Sequence, residues 1–156
     1  AVPSGGTLSE HRELQKNQSI DGRFIIHQLA GSGGMGEVYK AHDLRTLAPV
    51  AIKVLRSADP QNQLRFLREA EILTSLHHPG IVRHLGHGTL PDGVPYLAME
   101  WLEGEDLATR LRRGTLPIAD AVSLAIGVAR ALELAHQSGI VHRDWESARQ
   151  QVIPRA

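Results

Sequence analysis

Leu29–Ala41 reads LAGSGGMGEVYKA, and four of the six residues from Gly31 to Gly36 are glycine. Glycine loses more backbone freedom on ordering than any other residue, so a fixed loop of this composition is costly. It is either a slack linker or an ordered loop stripped of side chains so that a ligand can lie against its amides. The flanks favour order. FIIHQL (Phe24–Leu29) and EVYKAHD (Glu37–Asp43) are strand-like, and the second is too short for a helix before the next turn signals. A third strand follows at Val50–Arg56, VAIKVLR, rich in β-branched residues.

Further along, Asp59-Pro60 reads as a helix start, with Asp as N-cap and Pro at the first helical position. Leu64, Phe66, Leu67, Ala70, Leu73 and Leu76 recur at three- and four-residue spacing, which predicts an amphipathic helix ending near His78-Pro79. Two more strands are expected at Ile81–Leu85 and Pro95–Glu100, joined through a Pro-Asp-Gly turn. A short helix is expected over Asp106–Arg113 and a long one over Pro117–His136, closed by Gly139. Five strands with one helix inserted, followed by helices, define an α+β arrangement. Residues 1–20 lack a sustained apolar period and are expected to be a mobile lead-in.

The bulk numbers bound the possibilities. The 156 residues are 42% hydrophobic and 22% charged, as in an ordinary globular domain. Lys+Arg and Asp+Glu both number 17, so no net basic field points to nucleic acid or an anionic membrane. Cysteine is absent, which excludes disulfides and thiol chemistry. No apolar run approaches the ~18–20 residues needed to span a bilayer, so no membrane segment is expected and the cytoplasm is the default location. Of the 17 cationic residues only three are lysines: Lys16, Lys40 and Lys53.

GSGGMG fits G-x-G-x-x-G, a weak signal by itself. A dinucleotide site requires a helix directly after the last glycine, and a Walker A loop requires Gly-Lys-Ser/Thr; neither is present. A hairpin with a glycine tip fits better, because its amides can approach phosphate oxygens only where no Cβ intervenes. In VAIK, Ala51 and Lys53 point to one face of a strand. The small Ala leaves room for a flat base, and the ammonium reaches toward phosphate. A partly buried Lys needs an acid, and Glu69, on the helix stripe of Leu73 and Leu76, is the candidate; Glu71 points elsewhere.

Together GSGGMGEVYKA, VAIK, the REAEIL helix followed by LHHPGIV, YLAMEWLEGEDL and IVHRD resemble a protein kinase, in order and separation. Their wording is most similar to bacterial eukaryotic-like Ser/Thr protein kinases, over about Phe24–Asp144. The resemblance implies a small lobe over residues 21–99, built from a five-stranded antiparallel sheet and one helix. It implies a hinge and the first helices of an incomplete large lobe over 100–144, with an atypical tail at 145–156. Gly31, Ser32, Gly33, Gly34, Met35 and Gly36 would then cover the phosphates of ATP, and Ala30, Val38 and Ala51 would roof the adenine. Lys53 would hold the α- and β-phosphates and pair with Glu69. Met99 would be the gatekeeper, Glu100 and Leu102 would offer backbone hydrogen bonds to adenine, and Asp106 would lie near the ribose. Asp144 would be the catalytic base that orients a protein Ser/Thr hydroxyl, with His142 fixing its loop. Ala30 departs from the larger aliphatic residue the family prefers there. Asp106 reads equally as an acid placed to stabilise a helix start.

After His142-Arg143-Asp144 the family continues with Leu, Lys, two residues and Asn, whereas this chain reads WESAR. Glu146 stands at the Lys position and Arg149 at the Asn that would bind Mg²⁺, and no Asp-Phe-Gly follows. A guanidinium cannot ligate a cation, so Mg²⁺ is expected for the family while no metal ligands are assigned here. The chain alone is therefore predicted to be inactive. Two alternatives stand beside a kinase domain's N-terminal part: a non-catalytic, pseudokinase-like nucleotide-binding or scaffolding module, and a frameshifted product. The long helix is expected to expose apolar surface that other helices cover in the family. His77, His78, His84 and His87 raise a zinc question, but alternation puts His84 and His87 on opposite strand faces, which argues against it. Arg110, Arg112 and Arg113 read as a solvated helix end.

Overall fold

A computed structural model describes residues 13–33, 36–55, 59–139 and 152–153, apart from the side chains of Glu69, Ile72, Val152 and Ile153. In chain order these residues form β1 (Ser19–Ile20), β2 (Phe24–Gly33), β3 (Gly36–Asp43), β4 (Pro49–Leu55), α1 (Pro60–Ser75), β5 (His84–Thr89) and β6 (Pro95–Glu100). Then come β7 (Glu105–Asp106), α2 (Leu107–Leu111), α3 (Ile118–Gln137) and β8 (Val152–Ile153). The first six strands make one antiparallel sheet in the order β1-β2-β3-β4-β6-β5, and β7 pairs with β8. This is the expected α+β arrangement with one strand more than the five expected.

The extra strand corrects the lead-in reading for residues 13–20; residues 1–12 lie outside the described residues. Ser19 and Ile20 pair with Ile25 and Phe24, and Leu14 is buried in the main core. Its amide donates to the Tyr39 hydroxyl at 3.1 Å, which in turn donates to the buried Glu37 at 2.5 Å. Burial, with Glu37 adding to it, pushes the Tyr39 phenol up to about 12, so it stays a donor. One apolar anchor followed by two strand residues has no period to detect, which is why the sequence looked featureless there.

Period-two alternation builds the core. Ile26, Tyr39, Ala41, Val50, Ile52, Val54, Tyr96 and Ala98 turn to one face and join Phe24, Leu14 and Ile20 in a single cluster. Each large aliphatic side chain buried this way contributes roughly 1.5–3 kcal/mol. The opposite face carries Leu55 and Leu97, covered by Phe66 and Ala70 of α1, with Leu73 and Met99 at the margin. α1 begins as expected: Asp59 accepts the Gln61 amide at 3.0 Å and Pro60 opens the helix. Leu64, assigned to the apolar stripe from its spacing, is 57% exposed.

β5 lies later than the expected Ile81–Leu85. The Ile81 amide instead closes a turn onto His78 O at 2.9 Å, and the strand runs through two glycines, Gly86 and Gly88. The turn decides this. Leu90 N donates to Val94 O at 2.8 Å, so the hairpin pairs from Thr89↔Pro95 backward. Glycine is required at 88, where an added Cβ would come within 2.8 Å of the Tyr96 ring and 2.9 Å of Asp21. The Tyr96 hydroxyl and the Asp21 carboxylate hydrogen-bond over that bare backbone.

Arg23 locks the sheet's outer edge. Its guanidinium binds Asp43 through Nε at 3.1 Å and Nη2 at 2.8 Å, and Nη1 reaches Leu85 O at 3.2 Å. The Arg23 hydrogen bonds outweigh the opposing effect of burial and hold the Asp43 carboxyl at about 2, below its ordinary 3.8. A carboxylate depressed in the fold stabilises above its unfolded pKa, and that contribution drains as pH falls from about 4 toward 2. Asp43→Asn is expected to lower the unfolding free energy at pH 7 by roughly 2–3 kcal/mol. It should also flatten the stability slope below pH 4 in denaturant titrations; an unaltered slope would show that the pair carries no such load.

Candidate functional site

The β3-β4-β6 register gathers the predicted residues. Val38 stands opposite Lys53 and Lys40 opposite Ala51, while Ala51 pairs with Met99 and Lys53 with Leu97. Alternation puts Val38, Lys40, Ala51, Lys53, Leu97 and Met99 on the face that α1 partly covers. Ala51 is buried, and Val38, Lys53 and Met99 are half-buried. The hairpin tip closes above them through Gly31↔Val38, Ser32↔Glu37 and Gly33↔Gly36. Ala30 falls where the register shifts between Leu29 and Gly31, and it is exposed.

The glycines of the tip serve different ends. Gly36 has φ 145°, a backbone that side-chain-bearing residues rarely adopt. Gly31 and Gly33 need no such backbone, and a Cβ added to either meets no described atom within 4 Å. Among the described residues, neither the backbone conformation nor the packing asks for glycine at these two places. Gly34 and Met35 lie outside the described residues, as do His142, Asp144, Glu146 and Arg149.

Position 69 lies three residues after Phe66 and four before Leu73, both on the helix stripe packed against the sheet, while Glu71 is exposed. The side chain of Glu69 lies outside the described residues, so its pairing with Lys53 remains an expectation.

At the end of β6 the Glu100 amide donates to Arg83 O at 3.0 Å, and its carboxylate accepts the Arg83 amide at 2.8 Å. An adenine hydrogen bond from Glu100 would therefore use its carbonyl. Asp106 caps α2: Oδ1 accepts the Thr109 amide at 2.6 Å, and this bond holds its carboxyl below the ordinary value. Sequence reasoning passed over Lys40. Its ammonium lies 4.6 Å from the Trp101 ring centroid and 3.7 Å from Glu103. Two signals could have found it: the scarcity of lysine and its two-residue spacing from Val38.

The histidine geometry differs from expectation. A bulge between His84 and Gly86 puts His84 opposite Met99 and His87 opposite Leu97, so the two share a face with ring centroids 5.3 Å apart. Among the described residues no group of three or more His, Asp or Glu gathers as a metal site. His84 Nδ1 meets Thr74 Oγ1 of α1 at 3.1 Å, and Nε2 is buried with no partner among the described residues. The arginines are spread out: Arg113 pairs with Glu105, Arg112 with Thr109, and Arg110 with Gly114 O.

Residues 24–147 match the protein kinase domain, and the chain belongs to that family. It is 38% identical over 142 residues to a probable serine/threonine-protein kinase of Streptomyces coelicolor, covering 86% of this chain and 21% of that protein. It is 38% identical over 138 residues to the serine/threonine-protein kinase PknB of Mycolicibacterium smegmatis, covering 84% and 22%. The kinase domain of Mycobacterium tuberculosis PknI superposes with a TM-score of 0.75 at 31% identity, over 85% of this chain and 54% of that one. The chain thus spans about a fifth of the length of the curated relatives it matches.

Burial, with His87 adding to it, pulls the His84 imidazole below its ordinary 6.5. A histidine kept neutral by the fold costs stability as pH drops below 6.5, because the unfolded chain takes up the proton first. His84→Leu also removes an unpartnered buried nitrogen. It is expected to raise the thermal midpoint at pH 5.5 more than at pH 7.5; an equal change at both would show that His84 titrates as it does in the unfolded chain.

Proposed function

We propose that this chain supplies the nucleotide-binding part of a Ser/Thr protein kinase domain. The observation that carries this is the register placing Val38, Ala51, Lys53 and Met99 on one sheet face beneath a glycine tip with open space at Gly31 and Gly33. The family membership and the kinase names of the relatives support it. Gly31–Gly36 offer amides to the phosphates of ATP, Lys53 neutralises the α- and β-phosphates, and Glu69 steadies Lys53. Ala30, Val38 and Ala51 cover the adenine, Met99 closes the back, and the Glu100–Leu102 backbone reads the base edge. Asp106 keeps its cap and lends its remaining oxygen to the ribose. In the whole protein Asp144 orients a substrate hydroxyl for transfer of the γ-phosphoryl group. The sheet with α1 forms the small lobe, and the large lobe begins beyond residue 100.

The metal does not fit these residues. Phosphoryl transfer depends on positioning and charge neutralisation, and loss of one preorganised electrostatic group costs ~10²–10³ in rate. Glu146 and Arg149 supply a repelling carboxylate and a non-ligating cation where the family has Lys and Asn. Binding without turnover is the activity we assign to these 156 residues. Glu146 and Arg149 equally favour a second reading, a nucleotide-binding scaffold. No helix among the described residues is long and apolar enough to cross a membrane, and we place this part of the protein in the cytoplasm.

Gly33→Ala is expected to leave the thermal midpoint in place while weakening ATP binding by roughly three- to tenfold in titration calorimetry. A drop in both would mean that Gly33 serves the fold. Lys53→Met is expected to weaken ATP by more than tenfold and to leave adenosine binding unchanged, since only the phosphates meet the ammonium. With Mg²⁺ and a generic protein substrate, no phosphate transfer above background is expected; turnover near ordinary kinase rates would overturn the reading of the loop.

A further inference from the structure

Lys40, Ala51 and Met99 stand in one row across β3, β4 and β6. Ala51 is the smallest of the three and buries almost all of its surface. Lys40, 31% exposed, extends to the segment that follows β6, where its ammonium lies over the Trp101 indole and faces Glu103. Trp101 has no described acceptor for its buried Nε1, while its ring face meets the Lys40 ammonium. Trp101 also separates Glu100 from Leu102, the two residues whose backbone is proposed to read adenine.

We propose that Lys40 is a positioning residue. By clamping the Trp101 ring, it fixes the orientation of the 100–102 backbone against β3 and so sets the fit of the purine. This rests on the nucleotide reading above. Lys40 stands one row away from Lys53 and is engaged with an aromatic face and a carboxylate, so its charge is not directed at phosphate. The two lysines divide the ligand between them. Lys53 governs the phosphates and Lys40, through Trp101, the base. A cation held over indole at a partly exposed site also shields the ring and perturbs its emission.

The test uses the full 156-residue chain with ATP, adenosine and inorganic tripolyphosphate as separate probes in titration calorimetry. Lys40→Met is expected to weaken ATP and adenosine by the same factor, about three- to fivefold, and to leave tripolyphosphate unchanged. Lys40→Arg should restore both to within about twofold, because guanidinium stacks on indole at least as well. Trp101→Leu should reproduce the adenosine-selective loss, which guards against a misfolded Lys40 variant. In a Trp145→Phe background, Lys40→Met should change the Trp101 emission. If Lys40→Met weakens tripolyphosphate as much as adenosine, Lys40 acts as a general cation and the proposal fails. It fails too if adenosine binding is untouched while wild type binds and Lys53→Met does not bind ATP. A wild-type chain that binds none of the three probes removes the nucleotide reading instead.

Discussion

The pairing of β3 with β4 governs everything functional in this chain. Strand side chains alternate with a period of two, so a slip by one residue would exchange the two faces of the slipped strand. Either Val38 of β3 or Lys53 of β4 would enter the core, and Tyr39 or Ile52 would leave it. Two unlike demands hold the register. On one face Tyr39, Ala41, Val50, Ile52 and Val54 need burial; at its far end Asp43 must meet Arg23. A slipped pairing would leave a carboxylate uncompensated as well as expose apolar surface, and each error is costly without the other.

How legible was this from sequence? The elements set by local chemistry were readable: the Asp59-Pro60 start, the β-branched run at Val50, and the Pro-Asp-Gly turn. Facing residues were readable wherever alternation is unbroken, which is why Ala51 and Lys53 were read onto one face; Val38, brought in by the resemblance, stands opposite Lys53. What failed was whatever depends on a partner strand. β5 was displaced because its hairpin with β6, and not its own composition, sets its extent. The His84–His87 geometry was inverted because a bulge adds one residue to the count. Leu14 and β1 were missed because a single anchor has no pattern. Asp106 shows a different limit: sequence offered a ribose acid and a helix acid, and the structure accounts for it as a cap.

Sequence could flag Lys40 by the scarcity of lysine and its spacing from Val38, but not what it touches. Its contacts with Trp101 and Glu103 cross from β3 to the segment after β6, with β4 lying between those strands. No spacing rule reaches across two strand boundaries. Only the register shows that Lys40, opposite Ala51, stands in the row that leads to Met99 and the segment after β6.

The small lobe and the helices after it differ in how far they complete themselves. Both faces of the sheet find partners inside the described residues, one in the main core and the other in α1. α3 buries only Ala131 among its twenty residues and leaves Ile118, Val122 and Ile126 exposed, at 84%, 52% and 46%. The residues that would hold a nucleotide therefore lie mostly on the part whose packing is already closed. The departures at Glu146 and Arg149 come after α3 in the sequence, outside the described residues. Binding and chemistry are separable on these physical grounds: the sheet can present its amides, its alanine and its two lysines whether or not a competent catalytic loop stands opposite.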